Sequence, residues 1–483
     1  MNGLLILLYL VLCGLIVVFV PSLAAPHSAV YGNLTATDMS AAVLLCSVLA
    51  AIAGAITYKQ GVDGTFLLRL FIGALLLRML LGTAIFVYHG QDFFGGDAVG
   101  YDFFGFAQMQ GWQGNKSAML LANRFTHGGE ASGSGMIYLA GLIYTLVGRN
   151  MLAIQLVNCV VGAATGVVVA LVAHHVYNNV RLARAAGIAV AFYPSMVLWS
   201  CQGLKDGPTV FFLALSILAT LKLGQKLSLK FILVLICSLL CVLVLRFYVF
   251  YMICVAVGGA FVIGMQAMSA SSFARQFVAI IALGLALTYF GVVRSANVQY
   301  ERYGNLAWIQ NSRLDAAKSA KSGFGQDVDI STSGGALSAI PVGFLYLLLA
   351  PFPWQMASLR QSITFPEMVF WWACCPLLVT GLWFSVKHRL RMISPILIFT
   401  VMLSLAYSVV QGNVGTAYRQ RAQLMVFYFI FVAVGFELLL EKREAKKLEW
   451  QMERRRLELQ RAAATVARTT VARTRVTPVE PTL

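Results

Sequence analysis

Apolar residues are arranged along the chain in long runs separated by short polar segments. A helix needs about 20 apolar residues to cross a bilayer, and twelve of the runs are close to that length. They cover residues 3 to 20, 39 to 57, 66 to 88, 151 to 177, 185 to 200, 207 to 222, 230 to 247, 249 to 268, 277 to 293, 364 to 386, 392 to 410 and 422 to 440. Two further stretches, 136 to 147 and 338 to 350, have the length of interfacial or re-entrant helices. The pattern predicts an all-α polytopic membrane protein with about 12 transmembrane helices and two short accessory helices.

Short basic loops predict the orientation, because Lys and Arg accumulate on the cytoplasmic side of membrane proteins. Such loops occur at 181 to 184, 222 to 230 and 387 to 391, and the segment after Glu441 is also basic. If the twelve long runs cross the membrane and the two short stretches do not, all of these basic segments lie on the same side. Both termini are then cytoplasmic. The polar segments on the outer face are 89 to 150, 201 to 206, 294 to 363 and 411 to 421.

Composition agrees with a membrane protein. Of 483 residues, 59% are hydrophobic and 11% are charged, whereas soluble domains carry roughly 25% charged residues. A soluble fold is therefore excluded. The net charge of +17 is explained by membrane edges and tails, and a nucleic-acid partner is not expected. We divide the chain into a transmembrane domain, 1 to 440, and a basic cytoplasmic tail, 441 to 483. We expect the first part of the tail to be helical and its end to be disordered. We also expect the tail to contact anionic lipids.

Acidic residues in two outer segments are candidates for chemistry. The segment from Gly95 to Asp102 follows the third run, and its glycines allow a sharp turn that presents Asp97 at the mouth of the helix bundle. Asp97 there can accept a proton from an acceptor hydroxyl, although Asp97 and Asp102 are also suited to capping a helix. Asp206 lies in a very short outer turn, where it can face the same cleft or form a surface ion pair with Lys205.

Basic residues on the outer side run against the usual charge distribution. Arg246 lies at the end of the run 230 to 247, in the hairpin that leads to the next run, and the last outer segment carries Arg419 and Arg421. Because arginine binds phosphate through two parallel hydrogen bonds, these residues are candidates for a phosphate site, and snorkelling to lipid headgroups is the alternative for each. The remaining predicted substrate-binding residues are Lys205, Tyr101 and Arg124. Arg78, inside the third run, requires an internal partner.

The order of these features resembles the GT-C superfamily of membrane glycosyltransferases. The acidic first outer segment is followed by Leu-Val-Gly-Arg-Asn at 146 to 150 and by Phe-Tyr-Pro-Ser at 192 to 195. In particular, the chain resembles the branch that uses polyprenyl-phosphate sugars, which includes protein O-mannosyltransferases and lipid A aminoarabinose transferases. The likeness is clearest over residues 66 to 225, and Pro-Phe-Pro-Trp at 351 to 354 and residues 413 to 421 extend it to the later half.

The resemblance implies an inverting transfer of a sugar from a polyprenyl-phosphate carrier to a glycan, lipid or protein acceptor at the outer face of the plasma membrane. It implies that Asp97 is the general base, that Asp206 matches the second acidic position, and that Arg or Lys at the outer rim holds the carrier phosphate. The first outer segment reads Gly-Asp-Ala, without the adjacent acidic pair of many relatives. No metal-ligating residues are assigned for this reason, and a divalent cation remains a possible cofactor.

Two other functions compete with this one. An O-antigen polymerase or ligase would depend on Arg294, Arg302 and Arg313 of the second long outer segment. A transporter or assembly protein for envelope polysaccharides would need acidic residues within the spans, where the sequence offers little beyond Glu437.

Overall fold

The computed structural model describes residues 2–61, 63–94, 96–126, 134–263, 305–318, 322–356 and 359–474, together with 278, 281, 284 and 285. All regular elements in these ranges are helices, and their one β-bridge pairs Gly323 with Asn413. The predicted all-α class is confirmed. The predicted run 277 to 293, apart from those four isolated residues, lies outside the described residues, as do Arg294 and Arg302.

The first half of the chain contains three long helices, the third of which carries Arg78, one short helix between the first two, and a series of shorter helices in the predicted outer segment 89 to 150. They are α1 (Asn2–Ala24), α2 (Ser28–Tyr31), α3 (Ala36–Tyr58), α4 (Gly64–Val87), α5 (Gln91–Phe94), α6 (Asp97–Trp112), α7 (Lys116–Thr126) and α8 (Ser134–Val147).

The rest of the chain continues with central helices and ends with two very long ones. They are α9 (Met151–Tyr177), α10 (Val180–Phe192), α11 (Pro194–Ser200), α12 (Asp206–Gln225), α13 (Leu229–Leu245), α14 (Phe247–Ile263), α15 (Leu306–Lys318), α16 (Ser333–Leu349), α17 (Leu359–Val410), α18 (Val414–Gln420) and α19 (Ala422–Thr474).

Seven of the described helices are long and apolar enough to cross a membrane, or eight if α10 and α11 together form one span. The chain is therefore an integral, multi-pass membrane protein. The helices α13 and α14 have 17 residues each and coincide with predicted runs. The accessory helices α8 and α16 are also short and apolar.

The predicted span 185 to 200 is broken in the structure. The chain bends by 55° between α10 and α11, with Tyr193 in an extended conformation directly before Pro194. Proline has no N–H to donate and disfavours a helical conformation in the residue before it. The bend places the following turn, 201 to 205, against the bundle.

The 52-residue helix α17 contains two spans, not one. Arg389 has non-helical angles, φ −135° and ψ 18°. Before it, Trp371 packs against Phe429 of α19 with ring centroids 6.0 Å apart, and after it, Phe399 packs against Phe427 at 5.6 Å. Because both parts of α17 contact residues within one turn of α19, the chain reverses direction near Arg389. The separate predicted runs 364 to 386 and 392 to 410 agree with this reversal.

The core of the bundle forms around α9, most of whose residues are buried. It packs against α3, α4, α10 and α12. Small residues permit the closest approach: a Cβ placed on Gly166 would lie 3.0 Å from the carbonyl oxygen of Gly187 in α10. Such contacts between small residues are typical of membrane helices, where backbones approach closely.

The last helix continues far beyond the apolar region. Its charged part, 441 to 474, follows the apolar residues 422 to 440 without a break and would be about 50 Å long at 1.5 Å per residue. Its side chains are exposed as far as Ala463. The helix continues to Thr474, and residues 475–483, at the end of the predicted tail, lie outside the described residues.

Candidate functional site

Four helix ends bring charged side chains together at one end of the bundle. Asp206 begins α12, Arg246 separates α13 from α14, Arg419 lies near the end of α18, and Asp97 begins α6. We call these residues with Lys205 the charged cluster. Each member lies next to an apolar helix. Because these helices pack together, residues from distant parts of the sequence meet at this end of the bundle.

Asp206 is the centre of the charged cluster. Its Oδ1 accepts a hydrogen bond from Nη2 of Arg246 at 2.5 Å. Its Oδ2 lies 2.6 Å from Nη2 and 2.7 Å from Nε of Arg419. Only 2% of the Asp206 side chain is exposed. A buried carboxylate between two arginines holds both guanidinium groups in fixed positions.

Arg419 connects the buried and exposed parts of the cluster. Its Nη1 donates to Oδ2 of Asp97 at 2.7 Å, and 55% of the Asp97 side chain is exposed. Its guanidinium lies over the Trp199 ring, 5.6 Å from the centroid. Burial favours a lower pKa for Arg419, but the two carboxylates raise its pKa above the usual value. Arg419 is therefore cationic throughout the physiological range.

A row of polar groups extends from Arg246 into the bundle. Its Nη1 donates to the Tyr248 hydroxyl at 2.7 Å. The Tyr248 and Tyr407 hydroxyl oxygens are 3.4 Å apart, and the Tyr407 hydroxyl donates to Oε1 of Gln423 at 3.1 Å. Nε of Arg246 has no hydrogen-bond partner in the part of the chain that the structure describes. Arg246 thus retains an unused donor in a fixed orientation.

Lys205 and Tyr101 complete the surroundings of the cluster. The Lys205 side chain is half-buried, and its ammonium group has no hydrogen bond or ion pair with any described residue. Burial, together with Arg246 and Arg419, lowers its pKa to about 8 although Asp206 and Asp97 oppose the shift. Tyr101 is buried, and burial followed by the charge of Asp97 raises its pKa. Its hydroxyl therefore stays protonated and can donate a hydrogen bond.

Three predicted site residues do not join the charged cluster. Asp102 accepts hydrogen bonds from the Tyr144 hydroxyl and from Nη2 of Arg149, the latter at 2.6 Å, so it joins α6 to α8. Arg421 directs Nη1 to the carbonyl oxygens of Leu348 and Ala350 at the end of α16, at 2.8 and 3.1 Å. Arg124 is exposed on α7.

Arg78 has the internal partners that its position demanded. Its Nε donates to Oγ of Ser200 at 2.8 Å, and its Nη1 donates to the carbonyl oxygens of Ala191 at 2.7 Å and Ala74 at 3.2 Å. The partners Ala191 and Ser200 lie on either side of the break between α10 and α11. Arg78 also lines a small internal cavity with Trp199 and Asp206.

Several contributing residues were not identified from the sequence. Trp199 and Tyr407 lie within apolar runs, where aromatic residues are most simply explained by packing. Glu367 was also missed, although it is a buried acid inside the run 364 to 386. Its Oε2 accepts a hydrogen bond from the Tyr418 hydroxyl at 2.7 Å, and its Oε1 has no partner among the described residues. The sequence signal that could have identified Glu367 is the presence of an acidic residue in an apolar run.

The described residues contain no group of three or more His, Cys, Asp and Glu side chains that could hold a metal ion. Within the charged cluster, both carboxylates bind Arg419. Positive charge at this position is supplied by side chains of the chain itself.

No protein-family model matches the chain, and no curated protein matches it. Among solved structures, the chain is similar to the archaeal oligosaccharyltransferase AglB from Archaeoglobus fulgidus, in complex with an inhibitory peptide and a dolichol-phosphate. The two sequences are 11% identical, the match covers 66% of this chain and 43% of that one, and the TM-score is 0.38. The matched part thus spans less than half the length of AglB.

Proposed function

We propose that the protein is an inverting glycosyltransferase of GT-C type that moves a sugar from a polyprenyl-phosphate carrier to an acceptor at the outer face of the plasma membrane. One observation carries the proposal. At one end of the bundle, Asp206 orients Arg246 and Arg419, with the unpaired Lys205 and the exposed Asp97 beside them. The arrangement combines a phosphate site with a base.

The charged cluster carries three cations and two carboxylates, so a formal charge of +1 remains for an anion. A carrier phosphate accepts hydrogen bonds from Arg419, from the unused Nε of Arg246 and from Lys205. As the bond from the sugar to the phosphate breaks, negative charge accumulates on the leaving oxygen. Fixed cations stabilise that charge more in the transition state than in the bound donor.

Asp97 is the proposed base because it is the more exposed of the two carboxylates. Phosphate binding to Arg419 releases Asp97 from its ion pair. The carboxylate then takes the proton of the acceptor hydroxyl while the acceptor oxygen bonds to the anomeric carbon. The bond between that carbon and the phosphate oxygen breaks, and its electron pair leaves with the carrier phosphate. Attack from the side opposite the phosphate inverts the anomeric centre.

Asp206 has a different role in this proposal. Both of its oxygens already accept hydrogen bonds from arginines, so it positions the phosphate-binding groups and does not take the proton. Tyr101 is close enough to Asp97 and Asp206 for their charges to affect its pKa. Its protonated hydroxyl supplies a further donor at the edge of the site.

The test is transfer of labelled sugars from synthetic polyprenyl-phosphate donors in membranes that contain the protein. We expect Asp97→Asn to lower the rate about 100-fold or more, because general base catalysis contributes that much. Asp315→Asn, at an exposed acid of α15, is the matched control and keeps the parental rate. Full activity of a folded Asp97→Asn variant would contradict the base assignment, and parallel assays with EDTA establish whether a divalent cation takes part.

The alternative polymerase or ligase function lacks comparable support. Arg313, the one described residue of its arginine set, donates from Nη1 to the carbonyl oxygen of Val328 at 2.9 Å and is buried. Its Nε also donates to the carbonyl oxygen of Gln411, directly after α17, at 3.4 Å, so both of these donors already have partners. Alanine substitution of Arg294 and Arg302, with glycan chain length as the readout, tests this function.

Transport is the second candidate, and Glu367 favours it. A buried acid with an unpartnered oxygen inside a span is typical of proton-coupled transporters. Counterflow of a polyprenyl-linked sugar in proteoliposomes, abolished by Glu367→Gln, would support transport. Transfer without counterflow would exclude it.

A further inference from the structure

Four aromatic side chains form a stacked row beside the last outer segment. Phe324 and Tyr346 are parallel within 11°, with centroids 4.2 Å apart, and Phe352 meets Tyr346 edge-on at 5.6 Å. Trp354 stacks on Phe352 at 4.9 Å with an angle of 2°. We call these four residues the aromatic platform. It ends in an indole that is 78% exposed.

Hydrogen bonds hold the platform in place. Nε2 of Gln355 donates to the Tyr346 hydroxyl at 2.9 Å, and Oε1 of the same side chain accepts from the Phe352 backbone N–H at 3.4 Å. The inner end of the platform packs on Ala350 and Val414. These contacts order Tyr346 and Phe352, and Trp354 stacks on Phe352; a ring that is ordered beforehand lowers the entropic cost of binding a ligand.

The platform is joined to the outer segment that carries Arg419 of the charged cluster. The Phe324 backbone N–H donates to the carbonyl oxygen of Gly412 at 2.9 Å, just before α18 begins. Val414, which touches the platform, precedes Arg419 by five residues of the same helix, about 7.5 Å along its axis. Asp327, three residues after Phe324, is exposed and offers a carboxylate to hydroxyl groups.

We propose that the aromatic platform binds a carbohydrate, as the subsite for an oligosaccharide acceptor. A pyranose ring presents C–H groups on one face, and these pack against an aromatic face such as the outer side of Trp354. An acceptor of several sugars can stack there while its terminal hydroxyl reaches Asp97. The role as acceptor subsite rests on the proposed function, whereas carbohydrate binding itself does not.

The test measures binding to the full-length protein in nanodiscs, without any donor, using an array of bacterial and archaeal envelope oligosaccharides. We expect binding of at least one oligosaccharide, weakened about tenfold or more in Trp354→Leu because leucine has no flat aromatic face; tenfold corresponds to about 1.4 kcal/mol. Trp354→Phe, which keeps an aromatic face, restores most of the affinity. Trp383→Leu is the control, because Trp383 is similarly exposed but lies inside a span.

The outcomes separate the two proposals. Asp97→Asn is expected to bind the oligosaccharide and fail to transfer sugar to it. The platform proposal is overturned if the parental protein binds no oligosaccharide, or if a folded Trp354→Leu variant binds as tightly as the parent. In that event Trp354 is an anchor at the membrane interface, and transfer to a lipid or peptide acceptor would leave the glycosyltransferase proposal standing.

Discussion

At the residue scale, Asp206 and Asp97 are both paired with Arg419 but lie in very different surroundings. Asp206 is almost fully buried between two arginines, whereas more than half of the Asp97 side chain is exposed. Removing one partner of a buried ion pair strongly destabilises a protein, because the other charge is left uncompensated. An exposed pair contributes little, since water screens it.

We therefore expect Asp206→Asn to destabilise the protein by about 3 to 5 kcal/mol, because Arg246 and Arg419 lose their shared carboxylate. Asp97→Asn should cost less than about 1 kcal/mol. Thermal unfolding of the purified variants in detergent measures both. Equal losses of stability in the two variants would show that the charged cluster is not ordered as described.

The lowered pKa of Lys205 predicts a pH dependence of anion binding. Below its pKa of about 8 the side chain is cationic and attracts phosphate, and above that pH it becomes neutral. Between pH 7.5 and 9.5, where a phosphate monoester is already dianionic, we expect the affinity for polyprenyl phosphate to fall as the pH rises. Titrations at several pH values measure this.

Lys205→Arg is the control for the pH dependence, because arginine stays charged over the whole range. We expect its affinity to change little between pH 7.5 and 9.5. A parental protein whose affinity is constant across that range would contradict the assignment of Lys205 to the phosphate site.

The sequence indicates which residues lie at the outer ends of the helices, but it does not indicate which of them contact each other. Asp97, Asp206, Arg246 and Arg419 were identified because each ends an apolar run or element on the same side. Arg419 was paired with Arg421, yet residues two positions apart on a helix do not face each other. Arg421 binds the end of α16 for that reason. The face of the helix on which a residue lies determines its contacts, and the positions of the apolar runs do not give that face.

At the element scale, the hairpin formed by the two parts of α17 depends on close contact with α19. A Cβ on Gly381 would lie 1.9 Å from the carbonyl oxygen of Phe431, and one on Gly435 would lie 2.1 Å from that of Leu377. These are backbone contacts, so neither helix can accommodate a methyl group without moving.

We expect Gly381→Ala and Gly435→Ala each to destabilise the protein by about 1 to 3 kcal/mol, as overpacked interfaces do. Gly258→Ala is the matched control, because nothing lies within 4 Å of a Cβ at that position in α14. There the higher helix propensity of alanine should give a neutral or slightly stabilising effect. Thermal unfolding compares the three variants, and tolerance of alanine at Gly381 would contradict the described packing.

Apolar runs located the helices well, because burial in lipid and burial in the core both require apolar side chains. The breaks were harder to predict. The bend before Pro194 follows from a local rule, whereas the polar turn at 387 to 391 remains helical except at Arg389. Arg78 lies in an apolar run that contains no acidic residue. Its partners are backbone carbonyl groups and a serine, and a sequence pattern does not show which of the many such groups an arginine contacts.

At the scale of the whole molecule, the proposed orientation places the charged cluster outside and the long tail of α19 inside. This orientation requires that α8 and α16 do not span the membrane. The 14-residue length of α8 favours this, whereas α16 has 17 residues, as many as the predicted spans α13 and α14. The basic residues of the first turns after Glu441 are then positioned to meet anionic headgroups of the inner leaflet.

An epitope inserted near Asp327 should be labelled on intact cells, and an epitope at the C-terminus only after permeabilisation. This result is expected because the basic loops at 181 to 184, 222 to 230 and 387 to 391 favour the cytoplasm. Labelling of the C-terminal epitope on intact cells would reverse the orientation and move the charged cluster to the cytoplasmic face.

We propose that the charged cluster binds the phosphate of a polyprenyl carrier, and a structure determined with bound polyprenyl phosphate is the decisive measurement. We expect a phosphate group within hydrogen-bond distance of Arg246, Arg419 and Lys205, with Asp97 released from Arg419. Loss of the bound carrier in Arg419→Gln would support the same assignment. A phosphate bound elsewhere, with the ion pairs of Asp206 and Asp97 unchanged, would contradict it.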